Sequence, residues 1–238
     1  MKNENSITVI IPAFNEETSL ETTINVVVES VKRNFNEYEI IVLNDGSTDG
    51  TGELANELAG MLENVIVVHH REPVGLGGVF KKGLSLARMN YFIRINGKHD
   101  IDADNLEKIF KLCGQADLVI PYQMNAGQRP WPRKIVSGAF TAALNMLSGL
   151  RLRYYNHYVL HRTEDLRSID ISTDSHAFQA EVLIKLIGGG HTYVEVGVND
   201  NFENDTDSKA FYPKNIIGVA KFLLSIIQDR FLRGSTTR

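Results

Sequence analysis

The chain is poor in cysteine, with Cys113 its only thiol. That excludes an internal disulfide, argues against a cysteine-based metal site, and suits a reducing compartment where Cys113 packs as a small hydrophobe. Long apolar runs are missing as well. No stretch offers the roughly 18 or more uninterrupted apolar residues that a membrane-crossing helix needs. The opening segment meets Pro12, Glu16 and Glu17 too soon to hold a signal-peptide core. A cytoplasmic protein, soluble or peripheral at the membrane, is expected. Excess positive charge is also lacking: 25 Lys and Arg against 29 Asp and Glu give −4, so no nucleic-acid partner is expected. Proline, glycine and serine nowhere gather into a linker, and no repeat or low-complexity tract interrupts the pattern. Residues 1–238 therefore read as a single domain.

What is present is the material of a packed α/β core, since 43% of residues are hydrophobic. Four short β-branched runs fall at 7–11, 39–43, 65–68 and 91–95, separated by stretches with helical spacing at 20–31, 52–62 and 76–87. Strands alternating with helices imply βαβ units and a mostly parallel central sheet with helices on both faces. The continuous apolar character of the second and third runs suits strands buried on both sides. The second half is less regular. It reads as helix 105–112, strand 117–120, a Gly/Pro/Arg loop 125–133, an apolar helix 135–147, strand 158–161, helix 178–187, strand 192–198, a polar loop 199–208 and an amphipathic helix 214–231.

Ligands of such sheets sit at the carboxyl ends of strands. The first strand runs into Pro12-Ala13-Phe14-Asn15-Glu16-Glu17 and the second into Asn44-Asp45-Gly46-Ser47-Thr48-Asp49-Gly50-Thr51. A carboxylate there can accept hydrogen bonds from a ribose hydroxyl or a base N–H. It can also cap the next helix. Asp45 is assigned to the ligand and Asp49 to a cap. Gly75-Leu76-Gly77-Gly78 follows the third strand and does not spell GxGxxG, which argues against a dinucleotide oxidoreductase.

The pair IIPAFNEE and IIVLNDGSTDGT resembles the start of a family 2 glycosyltransferase with the GT-A nucleotide-diphospho-sugar transferase fold, which is Rossmann-like. The likeness continues through residues 74–78, 116–121, 174–181 and 193–198 and the Ser208-Lys209 pair, and it is strongest to dolichyl- or polyprenyl-phosphate sugar transferases. The resemblance implies a nucleotide-binding half at 1–98 and an acceptor half at 99–238. It implies that Pro12, Ala13, Phe14 and Glu16 line the nucleoside pocket and that Leu43 and Asp45 meet the base. The donor would be a UDP or GDP sugar. The acceptor would be a polyprenyl phosphate or a cell-envelope glycan, and no organic cofactor is implied. A sugar-phosphate nucleotidylyltransferase would want a glycine-rich loop where PAFNEE stands.

The departures from the family pattern carry as much information. Where the family has Asp-x-Asp holding a divalent cation, this chain has Asn96-Gly97-Lys98, followed by Asp100. Any metal ligand would be Asp100 or Asp102. Asp102-Ala103-Asp104 as a displaced motif precedes a helical run and reads instead as a cap and first turn. Lys98 is the candidate to neutralise the leaving diphosphate, which makes Mg²⁺ or Mn²⁺ dispensable. The family's phosphate-gripping arginines are replaced by Gln123 in one loop and by Asn199 to Glu203 in another, while Lys209 is kept. The contrasting possibility is a binding protein that has lost turnover.

On the acceptor side Asp174 is the candidate general base, with Glu181 ranked below it as a partner for buried backbone. A phosphate acceptor, already anionic, needs orientation more than deprotonation. Arg129, Arg133 and Lys134 supply local positive charge. His157, His161 and His176 lack the spacing of a metal cluster, and His99 neighbours the altered motif. Trp131, set between Pro130 and Pro132, could stack on a sugar or lipid, with simple packing the favoured role. The helix at 214–231 is the candidate for peripheral membrane contact, with core packing its competing role.

Overall fold

The computed structural model describes residues 3–175 and 177–200, together with Gly218, Lys221, Phe222 and Leu224. His176, Lys209 and nearly all of the expected helix at 214–231 lie outside the described residues.

The expected alternation is present. Strands β1 (Asn3–Ala13), β2 (Phe35–Asp45), β3 (Val65–His70) and β4 (Tyr91–Arg94) are linked by helices α1 (Leu20–Asn34), α2 (Thr51–Met61) and α3 (Gly75–Leu86). The second half contributes α4 (Ala103–Phe110), β5 (Leu118–Gln123), α5 (Trp131–Ser148), β6 (Leu160–Arg162), α6 (Thr163–Arg167), α7 (Phe178–Gly188) and β7 (Tyr193–Val198). The seven strands lie in the order β3-β2-β1-β4-β6-β5-β7. All pairs are parallel except those of β6, which runs antiparallel to β4 and to β5.

Strand alternation divides the core in two. Ile7, Val9 and Ile11 of β1 point with Ile40 and Val42 of β2 toward α1, α2 and α4, while Ile10, Ile41 and Leu43 point toward α3, α5, α6 and α7. Helix α1 meets the first layer with Leu20, Ile24, Val27, Val28 and Val31, a stripe at helical spacing. Helix α4 begins where Asp102 accepts a hydrogen bond from the Asn105 N–H at 2.8 Å, so Asp102 is a cap.

Two sequence expectations fail in the second half. Helix α5 starts at Trp131, four residues before the expected 135, because Pro132 in its first turn needs no backbone donor. Trp131 does not pack: it is 71% exposed. Helix α6 was not expected at all, since five residues are too few to show a period. Among the described residues no helix is long and apolar enough to cross a membrane.

Candidate active site

The two strand-end motifs are fastened to each other at the carboxyl edge of β1 and β2. The Asn15 N–H donates to Ser47 Oγ (3.0 Å), the Thr48 N–H donates to Asn15 Oδ1 (2.9 Å), and the Glu16 N–H donates to Thr51 Oγ1 (2.8 Å). Asn15 adopts the left-handed conformation, φ 58°, which turns the chain from β1 toward α1. Glu16 Oε2 accepts from the Ser19 hydroxyl, and that hydroxyl and the one on Thr23 both reach the Gly97 carbonyl. The Gly97 N–H in turn donates to the Pro12 carbonyl at 3.1 Å. A Cβ at residue 97 would stand 3.1 Å from that oxygen, so the close approach of the 96–98 turn to the β1 loop depends on glycine.

The individual side chains divide into those that face this edge and those that do not. Ala13 and Leu43 are buried in the core, so what they offer a ligand is backbone. Pro12, Phe14 and Glu16 are half-buried at the edge. Asp45 is held closely: Oδ1 accepts from the Val74 N–H (2.8 Å) and faces His70 Nδ1 (3.0 Å), while Oδ2 accepts from the Gly75 N–H (3.1 Å). Its carboxylate thus caps α3. Asp49 serves Thr51: burial raises its carboxyl, but hydrogen bonds, those from Thr51 foremost, together outweigh it and hold the group below the usual range.

Beyond β4 the chain builds a compact polar network. Arg94, 5% exposed, lies under the site with its guanidinium 5.3 Å from the Tyr158 ring centroid and 5.7 Å from that of Phe178. It donates to Asn96 Oδ1, which orients the amide so that Nδ2 donates to Tyr158 Oη (2.9 Å) and Asp100 Oδ2 (3.1 Å). The Tyr158 hydroxyl donates to Asp100 Oδ1. Burial, reinforced by the Asp100 charge, pushes the Tyr158 phenol well above its ordinary range, so it remains a donor. Lys98 Nζ completes the set, 3.2 Å from Asp100 Oδ2. His99, beside it, has φ 53° and a buried Nδ1 without a hydrogen-bond partner among the described residues.

These donors do not suit a divalent cation. Such an ion takes several oxygens free of competing charge, whereas Asp100 already faces a tyrosine hydroxyl, an amide and an ammonium, and Asp102 caps α4. A separate group of Asp117, Asp165 and His191 lies at the amino ends of β5 and β7, the opposite edge of the sheet, with Arg162 Nε 3.5 Å from Asp117.

A second chain of contacts joins the site to the acceptor half. Gln123, at the end of β5, donates to Asp200 Oδ2 at 2.5 Å, and His157 Nε2 lies 2.9 Å from Asp200 Oδ1. Because His157 Nδ1 accepts from the Tyr158 N–H, the imidazole proton resides on Nε2 and is donated to Asp200. Burial raises the Asp200 carboxyl, but hydrogen bonds from His157 and Gln123 outweigh it and hold it below its ordinary value. Tyr154 packs edge-on to His157 and accepts from Arg129 at 3.4 Å.

Asp174, more than half exposed, pairs with Lys81 at 2.6 Å. Its backbone carbonyl accepts from the Gly77 N–H, which brings the acceptor half against the start of α3. Glu181 is buried and binds backbone, as ranked from sequence: it accepts from the Ser172 and Thr173 N–H groups at 2.9 Å each. Reading the sequence missed Arg94, Tyr158, His157 and Asp200. Arginine inside the buried run YFIR was the available signal. His157 is buried and bonded to Asp200, while the fully buried His161 packs against Phe80 and Gln179.

The model of glycosyl transferase family 2 matches residues 8–186. The undecaprenyl-phosphate mannosyltransferase of Micrococcus luteus is 29% identical over 200 residues, 79% of this chain and 81% of that protein. The polyprenol monophosphomannose synthase of Mycolicibacterium smegmatis is 30% identical over 207 residues, 80% of this chain and 75% of that protein. The fold is shared with glucosyl-3-phosphoglycerate synthase from Mycobacterium tuberculosis, solved with Mn²⁺, UDP-glucose and phosphoglyceric acid, at a TM-score of 0.66 and 18% identity over 95% of this chain and 79% of that one. A GT-A sheet carrying both strand-end motifs, matched over most of its length, belongs to glycosyl transferase family 2, and the chain is a glycosyltransferase.

Proposed function

We propose that the enzyme transfers a sugar from a UDP or GDP sugar to a polyprenyl-phosphate acceptor, with inversion and without a divalent metal. The observation that carries this reading is the Lys98 ammonium on Asp100 at the end of β4, beside a buried Arg94. An acceptor phosphate oxygen attacks the anomeric carbon as the bond from that carbon to the diphosphate oxygen breaks. The electron pair leaves with the nucleoside diphosphate, whose new charge calls for a fixed cation nearby. In this reading Lys98 supplies that charge, with Lys209 as a further phosphate contact, and Asn96, Gly97, Asp100 and Gln123 shape the diphosphate end. Pro12, Ala13, Phe14, Glu16, Leu43 and Asp45 form the nucleoside end.

The relatives named for undecaprenyl phosphate and polyprenol support the lipid-phosphate acceptor over a cell-envelope glycan. Asp174 would serve as base only for a hydroxyl acceptor; a phosphate acceptor arrives ionised and has no proton to give up. The test is a panel of radiolabelled UDP and GDP sugars incubated with undecaprenyl phosphate in detergent, with EDTA or with Mg²⁺. Labelled lipid formed equally under both conditions supports the reading. Transfer that EDTA abolishes and Mg²⁺ restores overturns the metal-free part, and transfer only to glycan overturns the acceptor.

A further inference from the structure

Strand β4 ends in a charge where its neighbours carry hydrocarbon. All four of its residues are buried, and the strand lies between β1 and β6 inside the sheet. Alternation sets Phe92 and Arg94 on the face that looks toward α7, and Ile93 on the other. Arg94 is 5% exposed at the carboxyl end of the strand. Its guanidinium donates to Asn96 Oδ1 and lies against the rings of Tyr158 and Phe178, while its Nε has no hydrogen-bond partner among the described residues. Among those residues no carboxylate is bonded to it. Asp100 is engaged by Lys98, Tyr158 and Asn96, and its hydrogen bonds reach Arg94 only through the Asn96 amide.

A buried charge costs stability unless it is paired. The two rings offset only part of that cost, and arginine does not shed its proton to escape it. An anion bound close by supplies the missing charge. The 96–98 turn says which anion. Arg94 holds this turn from below through Asn96, and the Gly97 N–H fastens it to the Pro12 carbonyl of the nucleoside motif. Lys98 comes next in the chain. What lies at this turn, one step beyond the nucleoside end, is the diphosphate of the donor.

The same hydrogen bond fixes which way Asn96 faces. With Oδ1 committed to Arg94, the amide presents its N–H groups to Asp100 and Tyr158. An amide nitrogen turned outward offers no lone pair to a cation.

We propose that Arg94 is a fixed counter-charge for the donor diphosphate, holding the Asn96 oxygen away from any metal ion and acting on the diphosphate from beneath the 96–98 turn. It is a positioning residue: it works through Asn96 and through a charge that water and salt screen little. The inference rests on the metal-free reading of the donor site.

Arg94→Met replaces the charge by an apolar chain of similar length. Calorimetric titration of UDP or GDP in EDTA should show binding weakened about tenfold or more, while affinity for the matching nucleoside, uridine or guanosine, changes less than about twofold. Arg94→Lys, which keeps a cation beside Asn96, should recover most of the lost diphosphate affinity. Nucleoside and diphosphate affinity that fall alike would overturn the inference, because Arg94 is then a brace of the fold. An Arg94→Met protein that circular dichroism shows to be unfolded would overturn it for the same reason. If wild type and Arg94→Met bind diphosphate equally in EDTA, the inference fails and the metal-free reading stands. A wild type that binds diphosphate only with Mg²⁺ overturns both.

Discussion

Lys98 Nζ stands 3.2 Å from Asp100 Oδ2, so the carboxylate nearest the expected metal position faces an ammonium. A bound cation would have to displace that lysine or share its oxygen with it. If Lys98 carries the charge for the diphosphate, Lys98→Ala should weaken nucleotide-sugar binding about ten- to a hundredfold, the worth of one charge-assisted hydrogen bond. Calorimetric titration of a UDP or GDP sugar in EDTA checks this. A variant that regains affinity when Mg²⁺ is added would show that the lysine occupies a usable metal position; equal binding by both proteins would remove Lys98 from the site.

Tyr158 links the network through one oxygen, donating to Asp100 and accepting from Asn96. Tyr158→Phe removes both bonds from a position 5% exposed and should cost about 1–3 kcal/mol of stability. Asn96 and Asp100 then lose their common partner, so donor affinity should fall as well. Because burial and Asp100 hold the phenol well above its ordinary range, the wild-type and variant proteins should give the same tyrosinate absorbance up to pH 10. Extra tyrosinate in the wild type below that pH would mean that Tyr158 is not held as described.

The first hundred residues were legible because each strand and helix there is long enough to show its period and each strand ends on a recognisable polar run. The strand-end position of Asn15, Ser47 and Thr51 is therefore readable from the sequence. What Asp45 does there was not legible: a carboxylate beyond a strand suits a ligand or a helix start equally, and only the Val74 and Gly75 N–H groups reveal that it caps α3. The far side of the site was hidden for a different reason. Tyr158 meets Asn96 across 62 residues and His157 meets Asp200 across 43, with no local pattern to announce either. Trp131 misled because an apolar residue implies burial only when something is there to cover it.

His161 is fully buried, and burial lowers its pKa to about 3 from the ordinary 6.5. The native protein therefore keeps a neutral imidazole at pH values where the unfolded chain binds a proton. The stability this represents is complete above pH 6.5 and is lost as pH falls toward 3, roughly 4–5 kcal/mol in all. His161→Leu removes the titrating group, so urea unfolding followed from pH 7 to pH 4 should show a shallower loss for the variant. Parallel curves would mean that the imidazole is not kept neutral in the fold.

Glu181 braces the segment on which the candidate base sits. It is 2% exposed and accepts from the Ser172 N–H and hydroxyl, the Thr173 N–H and Lys185 Nζ. Burial raises its carboxyl, but the bonds from Lys185 and Ser172 outweigh that and leave it below its ordinary value. The brace holds Asp174 over α3, where the Gly77 N–H donates to its carbonyl and a Cβ on residue 77 would stand 2.7 Å from the Asp174 backbone. Glu181→Gln turns one acceptor into a donor that faces an N–H or an ammonium, and should cost about 1–3 kcal/mol. Gly77→Ala should cost a similar amount or more, because backbone has to move. Both changes loosen the same contact, so the double variant should be less destabilised than the sum by about 0.5 kcal/mol or more. Urea unfolding of the four proteins at pH 7 measures the difference, and strict additivity would show that Glu181 and Gly77 support the 172–174 segment independently.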